Sequence, residues 1–304
     1  MSVAPPSRRS RISSEARKAI VNVATVPLRS PFRYPGGKTW LVPYVRQWLR
    51  CKQPRPTLMV EPFAGGGIVS LTAVFDDLVD SALLVELDET VASVWEAMLN
   101  GHGAELSEQI LAFDMCQASV RALLEATDLT TTERALQTIV RNRVSRGGIM
   151  APGAGLVKNG ENGRGLRSRW YPATLAKRVR DIAAIRHRLR FVCGDGMLVM
   201  AEQGSRSDAV FFVDPPYTIA GRRLYAHSSV DHAGLFRLAA TLAGDVLMTY
   251  DDAPEIRYLA ERHGFQVRRV PMKTTHHDEK FELLIGREFG WLDSPERPGS
   301  AATA

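Results

Sequence analysis

Apolar and polar positions along the chain fall into two regular blocks with a different kind of segment between them. In the first block TLMVEPF (57–63) is a short apolar run ending in glycines. IVSLTAVF (68–75) has a helical apolar face, SALLVELD (81–88) is a second strand, and TVASVWEAMLNG (90–101) is a helix that Gly101 stops. The second block repeats the alternation. RFVCGDGM (190–197) and DAVFFVDPPY (208–217) read as strand and turn, HAGLFRLAATLAG (232–244) as a helix and DVLMTYDD (245–252) as a strand. PEIRYLAERHG (254–264) is a helix opened by Pro254, and FQVRRVPMK (265–273) with FELLIGRE (281–288) forms a closing hairpin. Strands alternating with helices predict an α/β fold, a mostly parallel sheet covered by helices.

The segment between the blocks, residues 106–190, loses the strands. SEQILAFDMCQASVRALLEA and TTERALQTIVRNRV are helical, and residues 147–165 hold seven glycines in nineteen positions, a mobile loop. PATLAKRVRDIAAIRHRLR (172–190) predicts an amphipathic helix with Leu175, Val179, Ile182 and Leu189 on one face. The organisation expected is therefore a discontinuous α/β domain, residues 30–105 and 191–290, interrupted by a helical insert over 106–190. Residues 1–29 and 291–304 are expected to be disordered tails, the first of them basic.

Charge sharpens the role of the insert. Residues 141–190 carry thirteen Lys and Arg against two acids, Glu161 and Asp181. That net +11 leaves −5 for the rest of a chain whose total is +6. Such an asymmetry points to a polyanionic partner. Hydrophobic content of 45% and charged content of 24% are those of a soluble globular protein, and no apolar stretch is long enough to span a membrane. Cys51, Cys116 and Cys193 lie far apart, with neither metal-ligand spacing nor a disulfide framework, as in a reducing cytoplasm. His276, His277 and Asp278 read as a loop rather than a metal site.

The chemistry-bearing residues cluster at predicted strand ends. EPFAGGG (61–67) is a glycine turn between strand and helix, a place where backbone and ligand come close, and it lacks the Gly-Lys-Ser/Thr ending of a phosphate loop. Glu86, about twenty residues on, is placed to accept from ribose hydroxyls. DPPY (214–217) ends an apolar strand on an acid. Pro215 and Pro216 fix the backbone and leave carbonyls free to accept, while Tyr217 adds an aromatic face, so the set suits a planar group bearing an amino nitrogen.

The ordered set FRYPGGK (32–38), EPFAGGG, VELD, CGDG and DPPY resembles the Dam-like DNA adenine N6-methyltransferases, from about Phe32 to about Arg287. The resemblance implies a Rossmann-like S-adenosylmethionine methyltransferase sheet with a helical target-recognition insert. It implies S-adenosylmethionine as cofactor, with no metal, and double-stranded DNA as partner. Tyr34, Gly37, Lys38, Glu61, Phe63, Gly65, Gly67, Glu86 and Asp195, with Asp214, are the cofactor-binding positions it assigns, and Asp214, Pro215, Pro216 and Tyr217 the catalytic ones. Asp195 is followed by Gly196 where many relatives have an aromatic residue, so no ring from that position is expected on the cofactor. Arg141, Arg143, Arg146, Arg167, Arg169, Lys177, Arg178 and Arg180 are the expected DNA contacts. Adenine in DNA, flipped from the duplex, is the expected substrate. Adenine in RNA and a catalytically idle DNA-binding protein on the same fold are the alternatives. A glutamine-methylating enzyme is disfavoured because such relatives carry Asn before Pro-Pro-Tyr. A cytoplasmic monomer is expected, in a restriction-modification or an orphan setting.

Overall fold

In the computed structural model, residues 26–33, 37–150, 155–157, 160, 163–216, 230–273 and 279–293 are described. Tyr34, Tyr217 and the His276–His277–Asp278 cluster lie outside them. The apolar runs become strands β1 (Leu58–Glu61), β2 (Ser81–Glu86), β3 (Leu189–Cys193), β4 (Ala209–Val213), β5 (Asp245–Asp251), β6 (Gln266–Lys273) and β7 (Glu279–Gly286). They form one sheet in the order β3-β2-β1-β4-β5-β7-β6. The first five are parallel, and β7 runs antiparallel between β5 and β6.

The period of two along each strand sorts side chains onto two covered faces. Met59, Ala82, Leu84, Val210 and Phe212 point to one core; Leu58, Val60, Leu83, Val85, Phe211 and Val213 point to the other. Helices α1 (Val42–Arg50), α2 (Ile68–Phe75) and α3 (Glu89–Leu99) cover the first face. Helices α8 (Gly196–Glu202), α9 (His232–Thr241) and α10 (Pro254–Arg262) cover the second. A last short helix, α11 (Gly290–Asp293), follows β7. Local chemistry sets the helix starts. Asp88 caps α3 by accepting from Thr90 N at 2.9 Å, and Pro254 occupies the first turn of α10.

The insert supplies α4 (Gly103–Ala112), α5 (Gln117–Glu125), α6 (Thr131–Val144) and α7 (Pro172–Ala184). A capping box starts α6: Thr130 Oγ1 accepts from Glu133 N, and Glu133 Oε2 accepts from Thr130 N. Helix α6 packs on α3, and α4 packs on α7. Leu106, Ile110, Ile139, Val140, Val179 and Ile182 join the same buried cluster as α1, α2 and α3, so the insert shares the core of the first sheet face.

Three sequence expectations shift. The helix expected over 172–190 ends at Ala184, and a short 3-10 turn (Arg186–Arg188) leads into β3. Leu189 pairs with Ala82 in the sheet ladder instead of extending the helical face. The leading tail gives way to packed chain before residue 29: Val26 is buried, and Arg29 pairs with Asp76 at 2.8 Å and lies over the Phe75 ring. At the other end Trp291 and Leu292 belong to the core, and Trp291 O accepts from Gln47 Nε2 at 2.6 Å.

Candidate active site

The four strands β3, β2, β1 and β4 end side by side, and each carries a sequence-predicted residue at its carboxyl end. These are Asp195 after β3, Glu86 on β2, the turn Glu61–Gly67 at β1 and Asp214 after β4. Strand order reverses between β1 and β4, where open α/β sheets form their ligand crevice.

The β1 turn is tight. Gly67 N donates to Ala64 O at 2.6 Å, and Trp95 Nε1 donates to Gly65 O at 3.0 Å. Gly65 and Gly67 adopt φ of 46° and 59°. A Cβ on Gly67 would stand 2.7 Å from both Leu84 and Trp95, so packing and backbone conformation each demand glycine there. Phe63 is half-buried against the second core. Glu61, 3% exposed, accepts from Ser70 N at 2.9 Å. Burial pushes its pKa up to about 8, and the nearby Asp214 charge acts in the same direction.

Glu86 braces the turn. Its Oε2 accepts from Gly65 N and its Oε1 from Asp88 N, both at 2.9 Å, and burial raises its pKa. Each oxygen keeps a second lone pair for a hydroxyl donor. Asp195 is exposed and caps α8 by accepting from Met197 N at 2.7 Å. The unusual Gly196 has a local cause. A Cβ there would lie 2.0 Å from Pro62 O, so the β3 turn presses on the β1 turn too closely for any side chain.

At Asp214 the two ends of the chain meet. Lys38, in the 3-10 turn Lys38–Leu41 that follows Gly37, is 3% exposed. Its Nζ lies 3.0 Å from Asp214 Oδ2 and 3.7 Å from Glu282 Oε2 on β7. Burial pulls the Lys38 pKa down, but the charges of Asp214 and Glu282 more than offset it and leave the pKa above its ordinary value. Thr249 Oγ1 on β5 donates to Asp214 Oδ1 at 2.7 Å. Asp214 is half-buried, with Pro215 buried and Pro216 half-buried behind it. Among the described residues no group of three His, Cys, Asp or Glu is placed to hold a metal ion.

The predicted basic contacts divide. Arg146 and Arg180 are exposed. Arg167 and Lys177 are exposed but paired, with Asp114 at 3.0 Å and Asp181 at 2.7 Å. Arg141 is half-buried, and Arg169 donates to Ser145 O at 3.5 Å. Arg143 corrects the expectation of a phosphate contact. It is 5% exposed, and its guanidinium donates to Pro31 O at 2.6 Å and Asn142 Oδ1 at 3.0 Å. Burial first, then the charges of Arg33, Arg178 and Arg169, push its pKa down to about 9. Arg178 donates to Ser30 O at 3.3 Å. Asn142 completes the grip: its amide accepts from Arg33 N at 2.9 Å and donates to Arg33 O and Gly148 O at 3.0 Å. Asn142, Arg143 and Arg178 thus fasten residues 30–33, the stretch that leads into Lys38.

Residues 34–275 match the D12 class N6 adenine-specific DNA methyltransferase family. The chain belongs to that family. It is an adenine N6-methyltransferase, and its methyl donor is S-adenosylmethionine. No curated protein is similar enough in sequence to count as a relative. Among solved structures, the rRNA methyltransferase aviRa from Streptomyces viridochromogenes is 14% identical, with 84% of this chain and 86% of that chain covered and a TM-score of 0.40. The precorrin-6y C5,15-methyltransferase from Geobacter metallireducens is 9% identical over 80% and 85%, with a TM-score of 0.36. Relative to the sequence reading, the D12 enzyme's site gains Thr249, Glu282, Trp95 and Asn142. A sequence signal exists for Glu282, an acid set in the apolar run FELLIG; the others look like ordinary strand or helix positions.

Proposed function

We propose that this enzyme methylates adenine N6 at specific sites in double-stranded DNA, with the target base turned out of the duplex. The observation that carries the reading is the Asp214 carboxylate at the carboxyl end of β4, beside the point where strand order reverses, oriented by Lys38 and Thr249 and backed by two prolines. Gly65 and Gly67 in the β1 turn, Glu61, Glu86 and Asp195 are the residues that would hold the cofactor. The donor set suits it: backbone N–H groups at the start of α2, and carboxylates at neighbouring strand ends for hydroxyl and amino groups. When bound, S-adenosylmethionine supplies an electrophilic sulfonium methyl.

The protein's own residues act on the acceptor. The lone pair of an adenine amino group is delocalised into the ring, which makes the nitrogen a poor nucleophile. Asp214 and the Pro215 carbonyl accept its two N–H bonds and favour a pyramidal nitrogen. As an N–C bond would form and the donor's S–C bond break, the nitrogen would turn positive; the Asp214 carboxylate would stabilise that charge until the proton is released to water. Tyr217 stacks on the extruded base. The insert, with Arg146 and Arg180 among its exposed cations, binds the phosphate backbone.

The test is transfer of a labelled methyl group from S-adenosylmethionine to unmethylated duplex DNA, with an RNA sample in parallel, followed by nucleoside digestion. N6-methylated deoxyadenosine is the expected product. Label confined to RNA would move the substrate to that polymer, and label in neither would overturn the proposal.

A further inference from the structure

Both oxygens of the acceptor carboxylate are engaged before any adenine arrives. Lys38 Nζ stands 3.0 Å from Asp214 Oδ2, and Thr249 Oγ1 donates to Oδ1 at 2.7 Å. A neutral hydroxyl leaves the charge of Asp214 intact. An ammonium at that distance does not: it weakens the carboxylate as an acceptor and repels the positive charge that develops on the amino nitrogen. Yet the ammonium cannot simply be absent. Asp214 and Glu282 both lie against it, and Glu61 is close enough for the Asp214 charge to be felt. Without a cation, two of these carboxylates would compete to hold a proton.

We propose that Glu282 is a positioning residue that draws Lys38 off Asp214 when the adenine amino group docks. This rests on the reading of Asp214 as the amino-group acceptor. In the resting enzyme the ammonium is shared, nearer to Asp214 than to Glu282. On docking, the substrate N–H takes its place at Oδ2 and the ammonium closes on Glu282. Asp214 regains its full charge at the reacting nitrogen, while the buried group as a whole stays compensated.

The framework suits such a move. Glu282 is fixed in the sheet, opposite Asp251 on β5 and Val270 on β6, with its side chain 9% exposed. Lys38 carries its charge on a flexible four-carbon stem with three donors, so it can change partner without a backbone shift.

The measurement is steady-state methyl transfer to an adenine-containing duplex by Glu282→Gln, Lys38→Gln and the double variant. Melting and S-adenosylmethionine binding are recorded for each. In Glu282→Gln the ammonium is left on Asp214. The expected result is a kcat lowered roughly tenfold or more, with KM, cofactor affinity and melting close to wild type. Adding Lys38→Gln removes the masking charge, so the double variant should recover much of the loss. A wild-type kcat in Glu282→Gln, or a double variant weaker than Glu282→Gln alone, would overturn the proposal, the second because a structural role makes losses add. Asp214→Asn separates the two layers. If that variant keeps transfer activity, the reading of Asp214 itself fails. If it is inactive while Glu282→Gln behaves as wild type, the role of Glu282 alone fails.

Discussion

Asp214 draws its chemistry from three elements that are distant in sequence. The loss of its carboxylate should lower transfer by about 10²–10³-fold or more while leaving cofactor binding largely intact, because the residues proposed to hold the cofactor sit mainly at the ends of β1, β2 and β3. Labelled-methyl transfer and cofactor binding by Asp214→Ala check both halves. Glu61 makes a different prediction, about pH. Its carboxyl titrates at about 8 in the folded protein and from an ordinary value of 4.5 when unfolded. The folded state then holds one more proton across that window, so this residue makes stability fall as pH rises from 4.5 to 8. Melting of Glu61→Gln against wild type at pH 5 and pH 8.5 should show a flatter pH dependence in the variant. An unchanged slope would contradict a buried, neutral Glu61. At this scale the sequence was informative where a motif advertised itself, as with DPPY and the EPFAGGG turn. Thr249 looked like an ordinary strand position, and the acid Glu282 stood out in its apolar run with no partner in view, because both roles depend on strands that pair across more than thirty residues.

Elements set by local pattern were read closely from the sequence. Helix α2 spans the residues its apolar face implied, and α10 begins at Pro254 as expected. Errors arose where a pattern could continue into the wrong element, as at Leu189, whose helical spacing is coincidental once the edge strand pairs with β2. The glycine turn offers a direct test. Gly67→Ala forces a side chain into the left-handed region and against Leu84 and Trp95, at a cost of about 1–3 kcal/mol. Denaturant unfolding should report that cost, and cofactor affinity should fall with it. The strap over residues 30–33 is the second element-level device. Asn142, 1% exposed, supplies three bonds to it and to Gly148, and a Cβ on Gly148 would lie 2.2 Å from Arg33 O. Asn142→Ala leaves buried backbone groups unsatisfied and should cost about 1–3 kcal/mol of stability, with a larger fractional loss of activity than of cofactor binding.

At the scale of the whole molecule, the charge asymmetry predicts how affinity responds to salt. DNA binding should weaken steeply with ionic strength, by about 0.9 log units per log unit of salt for each phosphate neutralised. Arg146→Ala and Arg180→Ala should each flatten that slope, whereas Arg143→Ala should lower the melting temperature instead, since its guanidinium is spent on Pro31 and Asn142. A titration series over salt, run beside thermal melts, separates the two classes of arginine. Composition could show that the segment was basic; it could not show which arginines face solvent, because burial follows from the core that α4, α6 and α7 share with the sheet. That shared core has an evolutionary consequence. A recognition segment that folded independently could be transplanted between relatives as a cassette. Here α7, which carries the exposed Arg180, also fastens the chain through Arg178 to Ser30 O, a few residues before Lys38, so replacing residues 106–190 wholesale would unseat the lysine beside Asp214. New target preferences should therefore arise by substitution at other exposed positions of the insert, one side chain at a time, with backbone contacts such as Arg146 and Arg180 left in place.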